Sequence, residues 1–445
     1  MNPTSAFEVS NVISNLKITK EDKNSVPIRL VIANKEILSH IICRMLNVSM
    51  ANGFFPKSLK IAKIIPIFKK GEKSDPSNYR PISILPYLSK IFEMIIHCRL
   101  TSYLSNNSII SPHQFGFQRG ISTLDAVISF TEQIYHALNT KQSILNIFID
   151  YDKAFDTLNH EILLRKLLKY GISGTAFMLF SNFLRDRQQY VQYKTAISTI
   201  KTCNIGVPQG SILSPVLFLM LINDLPSLSN NFVATMFADD CSLQFCGSNL
   251  NSLIMTCNND LRLFEQWSNA NKLSINVRKT QFMLISNIET AIQPDIFLSN
   301  VPLDIVEKYM FLGIEIDNNV RFNEDIISIR DKISKSIGIL FRLCDTIPRY
   351  CLKSIYFALI QPYIDYCLPV YGGTYEVHLN PLYVLQKSAL RAINNCTYYD
   401  NINRMFFNCK ILKLHDLYKL DLATYMYKHP ELRDAHRRTD TSISD

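Results

Sequence analysis

Apolar positions along the chain recur with two different spacings. Over 28–50 they return every three or four residues, which predicts a helix ending near Gly53. A second helical stripe covers 88–104, and Leu250, Leu253, Ile254, Cys257, Leu261 and Phe264 mark a third. The runs 61–68 and 144–149 are short, continuous and rich in β-branched side chains, as buried strands are. The second run stops at Asp150, and a helix over about 160–170 follows, ended by Gly171. Pro208-Gln209-Gly210 reads as a turn into an apolar helix over 213–222. Segments 232–238 and 241–245 read as a strand and its return, with Asp239-Asp240 as the turn between them. Asp75-Pro76-Ser77-Asn78 is turn chemistry, and beyond Asn319 the pattern is mostly helical. The segment 1–27 is polar without a clear element, and 431–445 is a polar tail.

Composition narrows the class. Of 445 residues 47% are hydrophobic and 19% charged, enough to bury a large core, which excludes a wholly disordered chain. At roughly 150 residues per domain the length suggests about three domain-sized units. Lys and Arg exceed Asp and Glu by 47 to 38, a net +9 that permits nucleic acid or phosphate as a partner without requiring one. Eleven scattered cysteines with no Cys-x-x-Cys pair signal no zinc ribbon or knuckle, and they fit a reducing, intracellular compartment. The first ten residues lack an apolar signal core, and the longest apolar stretch, 216–222, is far short of the ~20 residues of a spanning helix. No membrane partner is expected.

The strongest chemical signal is three aspartates at two strand ends. Asp150 closes one buried run, and Asp239 and Asp240 stand at the tip between two others. Carboxylates gathered at a sheet edge suit a hard divalent cation such as Mg²⁺. Two such ions, ~3.5–4 Å apart, activate an attacking hydroxyl and stabilise leaving oxygens. An Asp-Asp pair alone is better read as a polar hairpin turn; its pairing with Asp150 is what favours a site.

These residues fall in motifs that resemble the reverse transcriptases of non-LTR (LINE-type, jockey-like) retrotransposons. Phe148-Ile149-Asp150-Tyr151-Asp152-Lys153-Ala154-Phe155-Asp156 resembles the first catalytic motif, and Phe237-Ala238-Asp239-Asp240 the second. Gly206-Val207-Pro208-Gln209-Gly210-Ser211 resembles the intervening template and nucleotide motif, and Asn78-Tyr79-Arg80-Pro81-Ile82-Ser83 a fingers motif. Leu273-Ser274-Ile275-Asn276-Val277-Arg278-Lys279-Thr280 resembles a lysine-bearing motif, and Tyr309-Met310-Phe311-Leu312-Gly313 the primer grip. All six occur in family order within about 55–318.

The resemblance implies an α+β right-hand polymerase: fingers over 28–140, a palm with an antiparallel sheet over 141–318 that includes an inserted fingers part, and a helical thumb and extension over 319–430. It implies an RNA-directed DNA polymerase that extends a DNA primer with dNTPs on an RNA template. Asp150, Asp239 and Asp240 would hold two Mg²⁺ ions, with Mn²⁺ as a substitute. Arg80 would grip the triphosphate, since a guanidinium offers paired donors to phosphate. Lys69 or Lys70 would add a point charge, and the sequence leaves open which. Phe155 would be a steric gate excluding a 2′-hydroxyl, Gln209 and Gly210 would lie against the nascent base pair, and Lys279 would give a proton to pyrophosphate. Phe311, Leu312 and Gly313 would grip the primer. Asp156 reads instead as a helix N-cap. Complete elements of this kind carry an endonuclease domain, and nothing like it precedes residue 28. The chain is therefore expected to be a fragment or a degenerate copy, with nicking supplied by a missing domain or another protein. The alternative function is a catalytically inactive nucleic-acid-binding relic. An intracellular place, nucleus, cytoplasm or both, is expected, with nuclear action implied by the family's life cycle.

Overall fold

In the computed structural model of the chain, residues 1–16, 27–286, 294–396 and 399–430 are described. The tail 431–445 and the part 17–26 of the polar N-terminal segment lie outside them. The chain divides into two compact units.

The first unit comprises Met1–Ser122, Leu145–Phe282 and Thr290–Asp304. Its N-terminal segment is not featureless: Ala6–Ser14 is a helix capped by the Ser5 side chain, and Val9 and Ile13 are fully buried. Arg99 grips Glu8 with both guanidinium nitrogens, at 2.7 and 2.6 Å. The helix expected over 28–50 is two helices, Ile28–Ala33 and Lys35–Asn52. Asn34 breaks them apart by turning its side-chain amide back onto the Leu30 carbonyl, at 2.9 Å. Gly53 caps the second helix at φ 63°, close against the helix Gly174–Leu184, where a Cβ would meet Met178 and the Thr175 carbonyl.

Two sheets organise the site. One has the order Tyr79–Ile84, Ile61–Phe68, Arg187–Tyr193, Ala196–Ile197, and Lys201–Cys203 also pairs with Arg187–Tyr193. Ile61–Phe68 runs antiparallel to Tyr79–Ile84 and parallel to Arg187–Tyr193. The other has the order Asp304–Ile305, Gln281–Ile285, Ser143–Ile149, Asp240–Gly247, Phe232–Phe237. Every residue of Ser143–Ile149 is buried, as a central strand requires. The helix Ser214–Ile222, with Pro215 in its first turn, is apolar on all sides and buried at every position except Pro215. Each large side chain it buries is worth about 1.5–3 kcal/mol, so it serves as a rigid post behind the motif that precedes it. The helix Leu250–Ala270 buries the stripe Leu253, Cys257, Leu261 and Phe264 and is capped by Asn249.

The second unit comprises Thr123–Ile144, Met283–Glu289 and Ile305–Asp445 over its described residues. It holds the helix Thr123–Asn139, the hairpin Lys308–Phe311 and Ile314–Asp317, and the helices Asn323–Leu343, Arg349–Leu359, Glu376–Asn394 and Leu414–Lys428. Gln386 is fully buried in its core with its amide satisfied on both sides. It donates to the Tyr356 hydroxyl and the Leu412 carbonyl and accepts from the Leu414 amide. Among the described residues no helix is long and apolar enough to cross a membrane.

Candidate active site

A cleft of about 900 Å³ opens in the first unit. Asp150 and Asp239 both line it, together with Lys69, Arg80, Phe155, Gln209, Gly210 and Lys279. Lys70 is not among its walls, so of the two lysines left open by the sequence it is Lys69 that faces the cleft.

Asp150 sits where the central strand ends. Its N–H donates to the Thr280 hydroxyl at 3.3 Å and its carbonyl accepts from the Asn276 amide at 2.8 Å. The Asp152 N–H donates to the Ser274 carbonyl at 2.8 Å. The lysine-bearing loop is therefore strapped to the first acidic motif. That strapping brings the Lys279 ammonium to 3.6 Å from Asp150 Oδ2, with the lysine side chain 65% exposed.

The second acidic motif differs in register from its expected form. Phe237 pairs with Asp240, so the two turn residues are Ala238 and Asp239, and Asp240 opens the returning strand. Asp240 does not line the cleft. Asp240 remains close enough to the others to feel them. Burial, then the charges of Asp239 and Asp150, raise its carboxyl to about 6. Burial also raises Asp239, with Asp150 adding to the rise, while Arg80 and Lys69 pull it back down. The three carboxylates thus form one mutually repelling group, with the cations Arg80 and Lys69 within electrostatic reach of Asp239.

The donor set consists only of carboxylate oxygens, which suits a hard divalent cation, and a cation would relieve the repulsion that raises Asp239 and Asp240. Among the described residues no three His, Cys, Asp or Glu side chains are yet drawn together as a closed ligand cluster. The aspartates are neighbours in charge, with Lys279 as the nearest balancing group of Asp150.

Phe155, also lining the cleft, lies in the short helix Ala154–Thr157, stacked on buried Phe218 with ring centroids 4.6 Å apart. Phe117 stands edge-on to it at 6.4 Å. Asp156 is not a cap: Asn159 caps the following helix His160–Lys169, and Asp156 Oδ1 accepts from Gln209 Nε2 at 2.9 Å. Burial raises the Asp156 carboxyl and the Gln209 bond lowers it in part. Main-chain bonds lace the same two segments, Val207 N–H to the Phe155 carbonyl at 2.9 Å and Gly206 N–H to that of Leu158 at 2.8 Å. The Gln209 carbonyl accepts from Ser83 N–H at 2.8 Å. Gly210, at φ 129°, passes so close to the Ser83 carbonyl that a Cβ would lie 2.5 Å from it. Gln209 therefore ties the strand bearing Arg80 to the helix bearing Phe155.

Sequence reasoning passed over three residues here. Glu93 is fully buried on Tyr87–Asn106. It accepts from the Ser211 hydroxyl at 2.5 Å, the Ile212 amide at 2.8 Å and the Ser89 hydroxyl at 2.9 Å. Its signal was present: Ser89 and Glu93 are a polar i, i+4 pair on an apolar face. Gln114 and Phe117 carried no local signal. The proposed grip residues Phe311, Leu312 and Gly313 lie in the second unit, where buried Phe311 packs on Phe130 at 4.7 Å and Leu312-Gly313 form a hairpin turn.

Residues 67–316 match the profile of the family described as reverse transcriptase (RNA-dependent DNA polymerase), and the chain belongs to that family. Enzymes of this family use divalent metal ions. The chain is similar to the probable RNA-directed DNA polymerase from transposon X-element of Drosophila melanogaster, 26% identical over 93% of this chain and 47% of that protein. It is similar to the probable RNA-directed DNA polymerase from transposon BS of the same species, 30% identical over 78% of this chain and 39% of that protein. The RNA-directed DNA polymerase from mobile element jockey, also of Drosophila melanogaster, is 27% identical over 95% of this chain and 48% of that protein. The chain spans about half the length, or less, of these curated relatives.

Proposed function

We propose that the chain is the polymerase part of a non-LTR retrotransposon protein: an RNA-directed DNA polymerase that extends a DNA primer 3′-hydroxyl with dNTPs on an RNA template. The observation that carries this reading is the shared cleft, lined by Asp150, Asp239, Phe155 and Gln209, with Arg80 and Lys69 in electrostatic reach of Asp239.

Asp150 and Asp239, with Asp240 beside them, would hold two divalent cations, Mg²⁺ or Mn²⁺ in its place. When bound, such ions lower the charge barrier between an attacking hydroxyl and a triphosphate. The chain's own residues mostly position. Arg80 and Lys69 bind the triphosphate. Phe155, kept from yielding by Phe218, faces the sugar and leaves no space for a 2′-hydroxyl, which favours dNTPs. Gln209 and Gly210 lie against the new base pair, their backbone fixed by Ser83. Lys279, largely exposed beside Asp150, gives a proton to the departing pyrophosphate. Phe311, Leu312 and Gly313 grip the primer. In this reading 28–140 are fingers, 141–318 palm and 319–430 thumb and extension.

Primer extension on an RNA template tests it. The wild-type chain is expected to incorporate dNTPs only with Mg²⁺ or Mn²⁺ present, and Asp239→Ala to lose about 10³-fold in rate. Salt-dependent binding to an RNA–DNA duplex with no synthesis by either form would establish the non-catalytic relic instead.

A further inference from the structure

Gln114 is 1% exposed, 124 positions before Ala238 in the chain, and its side-chain carbonyl accepts two main-chain N–H groups. One is Gly116 N–H at 2.8 Å and the other is Ala238 N–H at 3.0 Å. Those two donors settle which end of the amide points at the turn. The surrounding loop is bound main chain to main chain as well. Phe115 N–H donates to the Met236 carbonyl at 2.7 Å, and Met236 N–H to that of His113 at 2.9 Å. Gly116 runs so close that a Cβ there would overlap the Ala238 nitrogen.

Ala238 is the first residue of the turn and precedes Asp239. It has φ 58°, a left-handed conformation that an alanine adopts only when its surroundings impose it. It is also buried, so its N–H needs a partner that the hairpin itself does not supply. Gln114 supplies that partner. The Gln114 Nε2, by contrast, is buried with no hydrogen-bond partner among the described residues. Only the acceptor half of the amide is bound to the protein.

We propose that Gln114 is a positioning residue for the second acidic motif: its side-chain carbonyl holds Ala238 left-handed and so fixes where the Asp239 carboxylate points. The inference rests on the reading of the cleft as a polymerase site. It predicts a role for the acceptor oxygen rather than for the size of the side chain.

Two substitutions separate these. Gln114→Met keeps the length and removes the acceptor, and Gln114→Glu keeps an acceptor oxygen. Hydrogen exchange of the Ala238 amide and steady-state primer extension are measured on both and on the wild type, with thermal unfolding as a control. Gln114→Met is expected to speed Ala238 exchange by about tenfold or more and to lower kcat by about 10–100-fold, with KM for dNTP within about twofold. Gln114→Glu is expected to keep the amide protected and to recover most of kcat. If Gln114→Met fails to fold, Gln114→Glu decides alone, loss of both protection and kcat overturning the inference. Equal impairment of the two variants, unchanged exchange in Gln114→Met, or a rise in KM at constant kcat would also overturn it. A wild-type chain that extends no primer sinks the polymerase reading instead, and the exchange arm then decides whether Gln114 anchors the turn.

Discussion

The hairpin at 232–247 in the first unit and the hairpin at 308–317 in the second turn the chain with the same number of residues but hold their turns by different means. Two residues separate the closing pairs Phe237–Asp240 and Phe311–Ile314. Loops this short demand positive φ. At 312–313 both residues are left-handed, φ 49° and 89°, and the second is glycine, which bears that conformation at no steric cost. The Tyr366 hydroxyl donates to the Leu312 carbonyl from outside. At 238–239 the left-handed residue is alanine, and the constraint comes from Gln114 and the loop around it. The first turn presents a carboxylate to a cleft, and its geometry depends on a partner far away in the chain. The second presents backbone, with glycine at its second position and the Tyr366 hydroxyl on the Leu312 carbonyl.

Exchanging the residue types tests this contrast. Gly313→Ala should have the larger effect. It forces an alanine into φ 89° and brings a Cβ to 3.2 Å from the Tyr366 hydroxyl oxygen. The expected loss is about 1–2 kcal/mol in urea or thermal unfolding. Ala238→Gly should do less. The relief of the left-handed alanine is offset by the greater freedom of glycine in the unfolded chain, leaving stability within about 1 kcal/mol of wild type. A larger loss at 238 than at 313 would reverse the contrast.

A smaller effect is expected beside the second hairpin, at the neighbour of Tyr366. Burial raises the Asp365 carboxyl from 3.8 to about 6, the Gln361 amide partly offsetting the rise and the Asp421 charge adding to it. The folded chain then holds that proton more tightly than the unfolded chain. The resulting stabilisation is complete below the ordinary value of 3.8 and is lost as pH rises through about 6. Thermal unfolding across this window should show wild-type Tm falling relative to Asp365→Asn. Parallel curves would show that Asp365 titrates alike in both states.

Much of this architecture is legible in local pattern. The strand Ile61–Phe68, the helix Tyr87–Asn106 and the strand Ser143–Ile149 follow from spacing and β-branched content, because burial on one face or two sets the period. The α+β class follows from those elements and the motif order. What local pattern missed depends on distant pairing. The turn at Ala238-Asp239 is one position earlier than the acidic pair suggests, because cross-strand register joins Phe237 to Asp240. Asp156 resembled a cap because Asp often is one. Its partner, Gln209, is brought to it by the Val207 and Gly206 bonds. The strand Arg187–Tyr193 carries three glutamines and no alternation strong enough to mark it, and it forms beside Ile61–Phe68. Gln114 is a polar residue whose burial is decided by a hairpin more than a hundred positions away.

The account turns on aspartates from two strand ends acting together on divalent cations, and direct titration with Mn²⁺, followed by loss of the free-ion paramagnetic signal, measures this without any requirement for turnover. Wild-type chain should take up Mn²⁺, and Asp150→Asn and Asp239→Asn should each weaken that uptake about tenfold or more while leaving unfolding cooperative. Equal uptake by the wild type and both variants would contradict the account.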